Sequence, residues 1–289
     1  MNYLVDRDKI VKFVLKRRNE DGGYGFCPPL YGSEFPSSSS DTFYALSILQ
    51  MLGEDIPHPH KTEEYLLGLQ NEDGGFSSMT SAFYAVKSLE ILGSRPRKLH
   101  FLDWLERYLK GKRSVGDEAF SGFVSAEYDT SSSPYQFLYC AVAILKTLGS
   151  KISLKEVEWI LPEGKHGGFG AGASDIISIF YVLSCLHAAG YDLGKLEKTR
   201  KFVEGCQHKE GGFTSVPHIT PPYIEDIHFG LECCKLLGIK PKHPAETEWF
   251  LSSCQNTNGG FSRSIYQGIS TLDNTYFAVS SLARLDSLL

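Results

Sequence analysis

Five carboxylates, Asp41, Asp175, Glu225, Asp226 and Asp273, stand at the start of apolar segments of similar length. Taken singly, each is suited to cap a helix and to favour its positive end, a contribution of roughly 0.5–2 kcal/mol for a cap. Brought together in partly apolar surroundings, like charges raise one another's pKa and yield either a cation site or a proton donor. Asp175 and Asp226 are the pair singled out for catalysis. A second chemistry lies in the aromatics that recur a few residues further on: Phe43-Tyr44, Phe83-Tyr84, Tyr139, Phe180-Tyr181, Phe229 and Tyr276-Phe277. Adjacent helical residues diverge, so roughly half are expected to face inward. Tyr44, Tyr84, Tyr139, Tyr181, Phe229 and Phe277 are the inward set. Such rings suit a long hydrocarbon and, through their quadrupole, a carbocation.

The elements that must position these groups are written in a repeat. Gln70-Asn71-Glu72-Asp73-Gly74-Gly75-Phe76 returns as Gln207 to Phe213 and as Gln255 to Phe261. Weaker copies lie at Asn19 to Tyr24, at Ser121-Gly122-Phe123 and at Gly167-Gly168-Phe169. The second glycines, at 23, 75, 122, 168, 212 and 260, are spaced by 52, 47, 46, 44 and 48 residues, a period that marks a repeat architecture. An apolar-periodic segment precedes each turn, and a second follows and stops at glycine, as in Asp41 to Leu52 before Gly53 and Asp226 to Leu237 before Gly238. Leu46, Leu49 and Leu52 recur with helical spacing, and glycine just beyond is the left-handed cap. Each unit therefore reads as helix, glycine turn, helix, with the following aromatic pinning the turn to the layer beneath.

Insertions at Cys27 to Ser40, Gly111 to Pro134 and Val216 to Pro222 all precede second helices, so they gather at one end, where repeat proteins place binding faces. Neither the first helix, with Ile10, Val11, Phe13 and Val14, nor the last, with Tyr276, Phe277 and Leu282, has the polar outer face that an open solenoid requires. The expectation is closure. The chain is all-α, an α/α toroid of six helical hairpins in two concentric layers of six helices, with residues 1–289 as one domain.

Composition narrows the function. Lys+Arg 29 against Asp+Glu 34 gives a net charge of −5, which leaves no basic footprint for nucleic acid. No apolar run approaches the roughly 20 residues that span a bilayer. Seven dispersed cysteines with no Cys-x-x-Cys pair read as reduced thiols, hence a cytoplasmic protein.

The Gln-x-x-x-Gly-Gly-Phe turn followed by a Phe-Tyr-Ala helix, over essentially the whole chain, resembles the β subunits of protein prenyltransferases. Those are similar in turn to squalene-type terpene cyclases. The resemblance implies a funnel that holds an isoprenoid or other long apolar molecule, a helical α-type partner subunit, and a zinc held by Asp-x-Cys with a histidine one repeat later. Asp175 matches the aspartate, but Ile177 occupies the cysteine position and Asp226 the histidine position. Zinc needs about three protein ligands with nitrogen or thiolate donors, whereas Asp175 and Asp226 are hard oxygens better suited to magnesium. His228 completes a candidate metal set, since Asp226-Ile227-His228 carries the Asp-x-Cys spacing displaced by one repeat. The family's basic diphosphate ligands fall on the uncharged stretch Gly170 to Ser174, and Arg263 alone is basic in a comparable place. The leading expectation is a prenyl-diphosphate transferase or cyclase assisted by a divalent metal. A non-catalytic lipid-binding or interaction module and an acid-initiated terpene cyclase are the alternatives.

Overall fold

The computed structural model describes residues 5–28, 35–97, 101, 104–105, 133–157, 160–161, 167–169, 175–266 and 268–288. The turn at Ser121 to Phe123, the stretch Gly170 to Ser174 and most of the Gly111 to Pro134 insertion lie outside them. The regular elements among the described residues are helices: α1 (Arg7–Leu15), α2 (Ser39–Leu52), α3 (Pro59–Gly68), α4 (Met79–Ile91), α5 (Pro134–Thr147), α6 (Leu154–Val157), α7 (Ile176–Ala188), α8 (Glu197–Gly205), α9 (Ile224–Leu237), α10 (Pro244–Ser253) and α11 (Leu272–Leu288). Among the described residues extended pairing is confined to isolated bridges at the turns, such as Gln207 with Phe213 and Gln255 with Phe261, and from the turn aromatics Tyr24 and Phe261 to Ser38 and Thr271.

Six helices form the inner wall. In order, α2 packs on α4, α4 on α5, α5 on α7, α7 on α9, α9 on α11, and α11 returns to α2. The fold is an α/α toroid, as the apolar first and last helices require. The wall helices are greasy on most faces because they are covered on both sides; α7, IISIFYVLSCLHA, has no charged residue. The outer α8, EKTRKFVEG, keeps only one stripe, with Thr199 and Val203 buried.

The inner helices start a little before the apolar periodicity does, at hydroxyl or carboxylate caps. Ser38, Ser78, Ser133 and Asp175 accept hydrogen bonds from the backbone N–H groups of Asp41, Ser81, Gln136 and Ser178, each about 1 kcal/mol of helix stability. Asp41 is not itself a cap; its carboxylate receives the Ser38 hydroxyl at 2.7 Å. The inner helices end as expected, with Gly53 and Gly238 at φ 69° and 63°.

Neighbouring units are joined by the turns. Each described turn lies on the outer segment of the next unit: Gly22 on Lys61 and Thr62, Gly75 on Trp104, Gly167 on Lys198 and Thr199, Gly211 on Glu246 and Thr247. Threonine hydroxyls seal three of these joints, Thr62 donating to the Gly22 carbonyl at 2.7 Å, Thr199 to Gly167 at 2.8 Å, and Thr247 accepting from the Gly212 N–H at 2.9 Å. The motif glutamine adds a clamp. The Gln70 side chain donates to Gly74 O at 2.7 Å and accepts from Arg97 N at 2.9 Å; Gln207 accepts from Lys242 N at 2.6 Å.

The last joint closes the ring with the same parts. Gln255 accepts from Asp6 N at 2.8 Å and donates to Asp6 O and to Gly259 O at 3.1 and 3.2 Å. Gly259, at φ 95°, has its Cα against the Lys9 backbone, and Gly260 faces the Phe13 ring. The aromatic that follows each described turn is buried, as Tyr24, Phe76, Phe169, Phe213 and Phe261 all are. Tyr24 and Phe261 also donate their backbone N–H to Thr42 and Thr275 of their own inner helices, at 3.1 Å each.

A side chain at Gly259 meets both an unfavourable φ and the Lys9 backbone, so Gly259→Ala should cost about 2–4 kcal/mol. Gly53, also at positive φ but with open space around it, should cost about 1–2 kcal/mol on the same change. Urea unfolding of the two variants checks the difference.

Candidate functional site

The inner wall encloses a cavity of about 620 Å³. Its middle is a belt of rings, one station per inner helix, set by the shared register of the aromatics after each helix start. Tyr44 meets Tyr84 with centroids 5.4 Å apart, and Phe83 carries the belt to Tyr139 at 5.5 Å. Tyr139 meets Tyr181 at 5.1 Å, Tyr181 meets Phe229 at 5.8 Å, Phe229 meets Phe277 at 5.6 Å, and Phe277 returns to Tyr44 at 5.9 Å. The belt is closed.

The sequence reading sent only one of each adjacent pair inward. The structure differs: Phe43 and Tyr44, Phe83 and Tyr84, Phe180 and Tyr181, and Tyr276 and Phe277 all line the cavity. Successive residues on a helix are about 100° apart, so two neighbours can straddle the inward direction and both reach the lumen. Burial pushes the phenols of Tyr84 and Tyr276 up to about 12, so they are neutral donors. Tyr44 and Tyr84 share a hydroxyl–hydroxyl hydrogen bond of 2.7 Å.

One turn before the belt lies the polar mouth. Arg263, from the segment after the sixth glycine turn, is tied down because its carbonyl accepts from Ile224 N at 3.0 Å. Its guanidinium pairs with the Glu225 carboxylate and lies over the Tyr223 ring at 4.1 Å. The bond to Glu225 holds it above its usual pKa. The other carboxylate oxygen of Glu225, Oε2, is buried without a hydrogen-bond partner among the described residues. Asp273 and Gln136 also face this end of the cavity.

Asp175 and Asp226 stand behind the mouth rather than in the cavity lining. Asp175 caps α7 through a 2.7 Å bond from Ser178 N. Asp226 is 3 % exposed. Burial, then the Glu225 and Asp175 carboxylates, push it up to about 7, against opposing pulls from Arg263 and a backbone hydrogen bond from Ser215. The two aspartates are thus electrostatic neighbours. His228 is separated from them, for it lines the cavity within the belt, its ring 4.9 Å from Phe277 and 5.5 Å from Tyr276. Burial lowers its pKa to about 4. Among the described residues no group of three His, Cys, Asp or Glu side chains is gathered to hold a metal ion, so the donors present do not fit a zinc centre.

Beyond the belt the lining turns polar again with Lys87, Glu232, Ser280 and Arg284. Sequence reasoning missed these four. The signal was available, since Lys87 follows Phe83, Glu232 follows His228 and Ser280 follows Tyr276 by one helical turn on the same inward face.

The profile of the prenyltransferase alpha-alpha toroid domain matches residues 3–81, 77–221 and 224–289. The chain belongs to this family. Drimenyl diphosphate synthase of Streptantibioticus cattleyicolor is 25% identical over 255 residues, covering 77% of this chain and 44% of that protein. The Geranylgeranyl transferase type-1 subunit beta of Arabidopsis thaliana is 21% identical over 241 residues, covering 74% of this chain and 59% of that protein. The toroid thus spans about half the length of the curated relatives it matches. Among solved structures, Candida albicans protein geranylgeranyltransferase-I complexed with GGPP superposes with a TM-score of 0.65 at 14% identity, over 96% of this chain and 90% of that one. A type II terpene cyclase from Scytonema in complex with merosterolic acid A gives 0.60 at 14% identity, over 98% and 96%. At that identity the likeness is one of fold. No helix among the described residues is long and apolar enough to cross a membrane.

A carboxyl that holds its proton more tightly when folded stabilises the fold below its unfolded pKa, near 3.8 for Asp226, and that contribution is lost as pH rises through about 7. Asp226→Asn keeps an acceptor for Ser215 without the charge. Its thermal midpoint relative to the unsubstituted chain should therefore climb between about pH 4 and pH 7 and level off above. A parallel pH series of thermal melts checks this.

Proposed function

We propose that this toroid binds an isoprenoid chain in its central cavity, with the hydrocarbon inside the aromatic belt and the head group, a diphosphate or similar, at the Arg263 mouth. The observation that carries the reading is the closed belt around about 620 Å³, a volume within the usual range for small-molecule sites. Tyr44, Tyr84, Tyr139, Tyr181, Phe229 and Phe277 present ring faces to the chain, and the same faces stabilise positive charge developed along it. Relatives named for drimenyl diphosphate synthesis and geranylgeranyl transfer support a prenyl ligand. Transfer or cyclisation of a prenyl group is the reaction this arrangement suits.

Asp175 and Asp226 are the carboxylates assigned to that chemistry. A second reading, acid-initiated cyclisation, is favoured by one observation. Asp226, with a pKa of about 7, retains a proton at neutral pH, as a carboxylic acid must in order to donate one. Its place behind the lining means the Glu225–Arg263 pair has to open for the proton to reach a ligand. As metal donors, Asp175 and Asp226 supply two hard oxygens suited to magnesium; the described residues bring no third, so a bound magnesium would draw its remaining ligands from water and the diphosphate itself. Seven free cysteines, six of them buried, suit a reducing, cytoplasmic setting. A helical α-type subunit is the partner implied by the relative named as a β subunit.

Native mass spectrometry and calorimetry with farnesyl diphosphate, geranylgeranyl diphosphate and the two alcohols test the reading. One molecule per chain is expected. Tyr139→Ala or Phe229→Ala should weaken binding roughly tenfold to a hundredfold, and Arg263→Gln should weaken the diphosphates while sparing the alcohols. Failure to retain any of the four would overturn it. Product analysis then separates the chemistries, since transfer releases diphosphate and acid-initiated cyclisation does not.

A further inference from the structure

The cavity wall between α9 and α11 is not continued as hydrocarbon beyond the belt. His228 and Glu232 on α9, and Ser280 and Arg284 on α11, all line the lumen. Glu232 and Arg284 meet across the two helices with Nε to Oε1 at 2.7 Å. That is the only hydrogen bond made by the Arg284 guanidinium among the described residues, and four of its five N–H donors remain. His228 is 7 % exposed, and neither of its ring nitrogens has a hydrogen-bond partner among the described residues. Seven residues of α9 separate Glu232 from Glu225 at the mouth, a depth of roughly 10 Å.

A purely apolar tail laid against this wall strips water from a charged pair and from an imidazole and returns nothing to them, which is unfavourable. A chain carrying an oxygen at that depth makes the missing hydrogen bonds. We propose that His228, Glu232 and Arg284, with Ser280 beside them, form a second polar subsite that recognises an oxygen function on the prenyl chain itself, far from its head group. The inference rests on the isoprenoid reading above and narrows its substrate class to oxygenated chains. The mouth and this subsite hold the two ends of the ligand, and the belt holds the hydrocarbon between them.

The test compares farnesol with its ω-hydroxylated counterpart, matched in length, by calorimetry on the full chain. The unsubstituted protein should bind the hydroxylated probe about tenfold more tightly, the worth of a hydrogen bond to a charged partner. His228→Phe keeps a ring in the belt, and the double variant Glu232→Leu with Arg284→Met replaces the ion pair by apolar residues of similar bulk, an exchange that folds tolerate. In both, the preference should disappear while farnesol binds as well as before or better, with thermal melts confirming a folded chain. Equal affinity for the two probes in the unsubstituted protein overturns the subsite but leaves isoprenoid binding standing. A preference that survives both variants also overturns it. Retention of neither probe overturns the subsite together with the binding reading.

Discussion

Everything in this molecule depends on one joint, used repeatedly: a glycine turn pressed without side chains onto the outer segment of the next unit. The close approach of Gly22 to Thr62, Gly167 to Thr199 and Gly259 to Lys9 sets the angle between successive hairpins. Gln70 and Gln255, each four residues upstream of the first turn glycine, hold that angle by bonding their own turns and the chain that enters the next unit. None of these bonds is strong alone, a net 0.5–1.5 kcal/mol each. Their repetition places α11 beside α2 and turns six separate helix starts into a common mouth.

The lumen that results has an axial order. Charge sits at the mouth, with Glu225 and Arg263, then comes the aromatic belt, then charge again with Glu232 and Arg284. In both ion pairs the carboxylate comes from α9, so this one helix sets the polar character of the cavity along its whole depth. The aspartates behind the mouth play a different part. Asp175 satisfies one backbone donor, the Ser178 N–H, whereas Asp226 is held where burial and two like charges keep it close to neutrality in charge.

Much of this was legible in the sequence. The glycine period, the left-handed caps and the greasy terminal helices together dictated a ring, because each is a local requirement with a fixed residue signature. The aromatic stations were legible for the same reason, although treating adjacent rings as facing apart missed that Phe43 and Tyr44, or Tyr276 and Phe277, both reach the lumen. The pairing of Glu232 with Arg284 was not legible. The two lie 52 residues apart on helices that resemble any other with a surface charge, and only the crossing of α9 and α11 makes them partners. The raised pKa of Asp226 was anticipated in kind, but its causes include Ser215 and Arg263, which come from loops whose positions no periodicity encodes. His228 was read beside Asp226 as a donor to the same ion; two residues along a helix point about 160° apart, and the imidazole turned into the belt.

Closure through Gln255 and Asp6 has a consequence for how the molecule comes apart. A linear stack of hairpins has two outermost members that loosen first and let melting spread inward. Here the sixth unit is gripped by the first as the first is by the sixth, so no member is outermost. Loosening any joint withdraws support from both sides at once, and partial opening of the barrel carries nearly the cost of losing it whole.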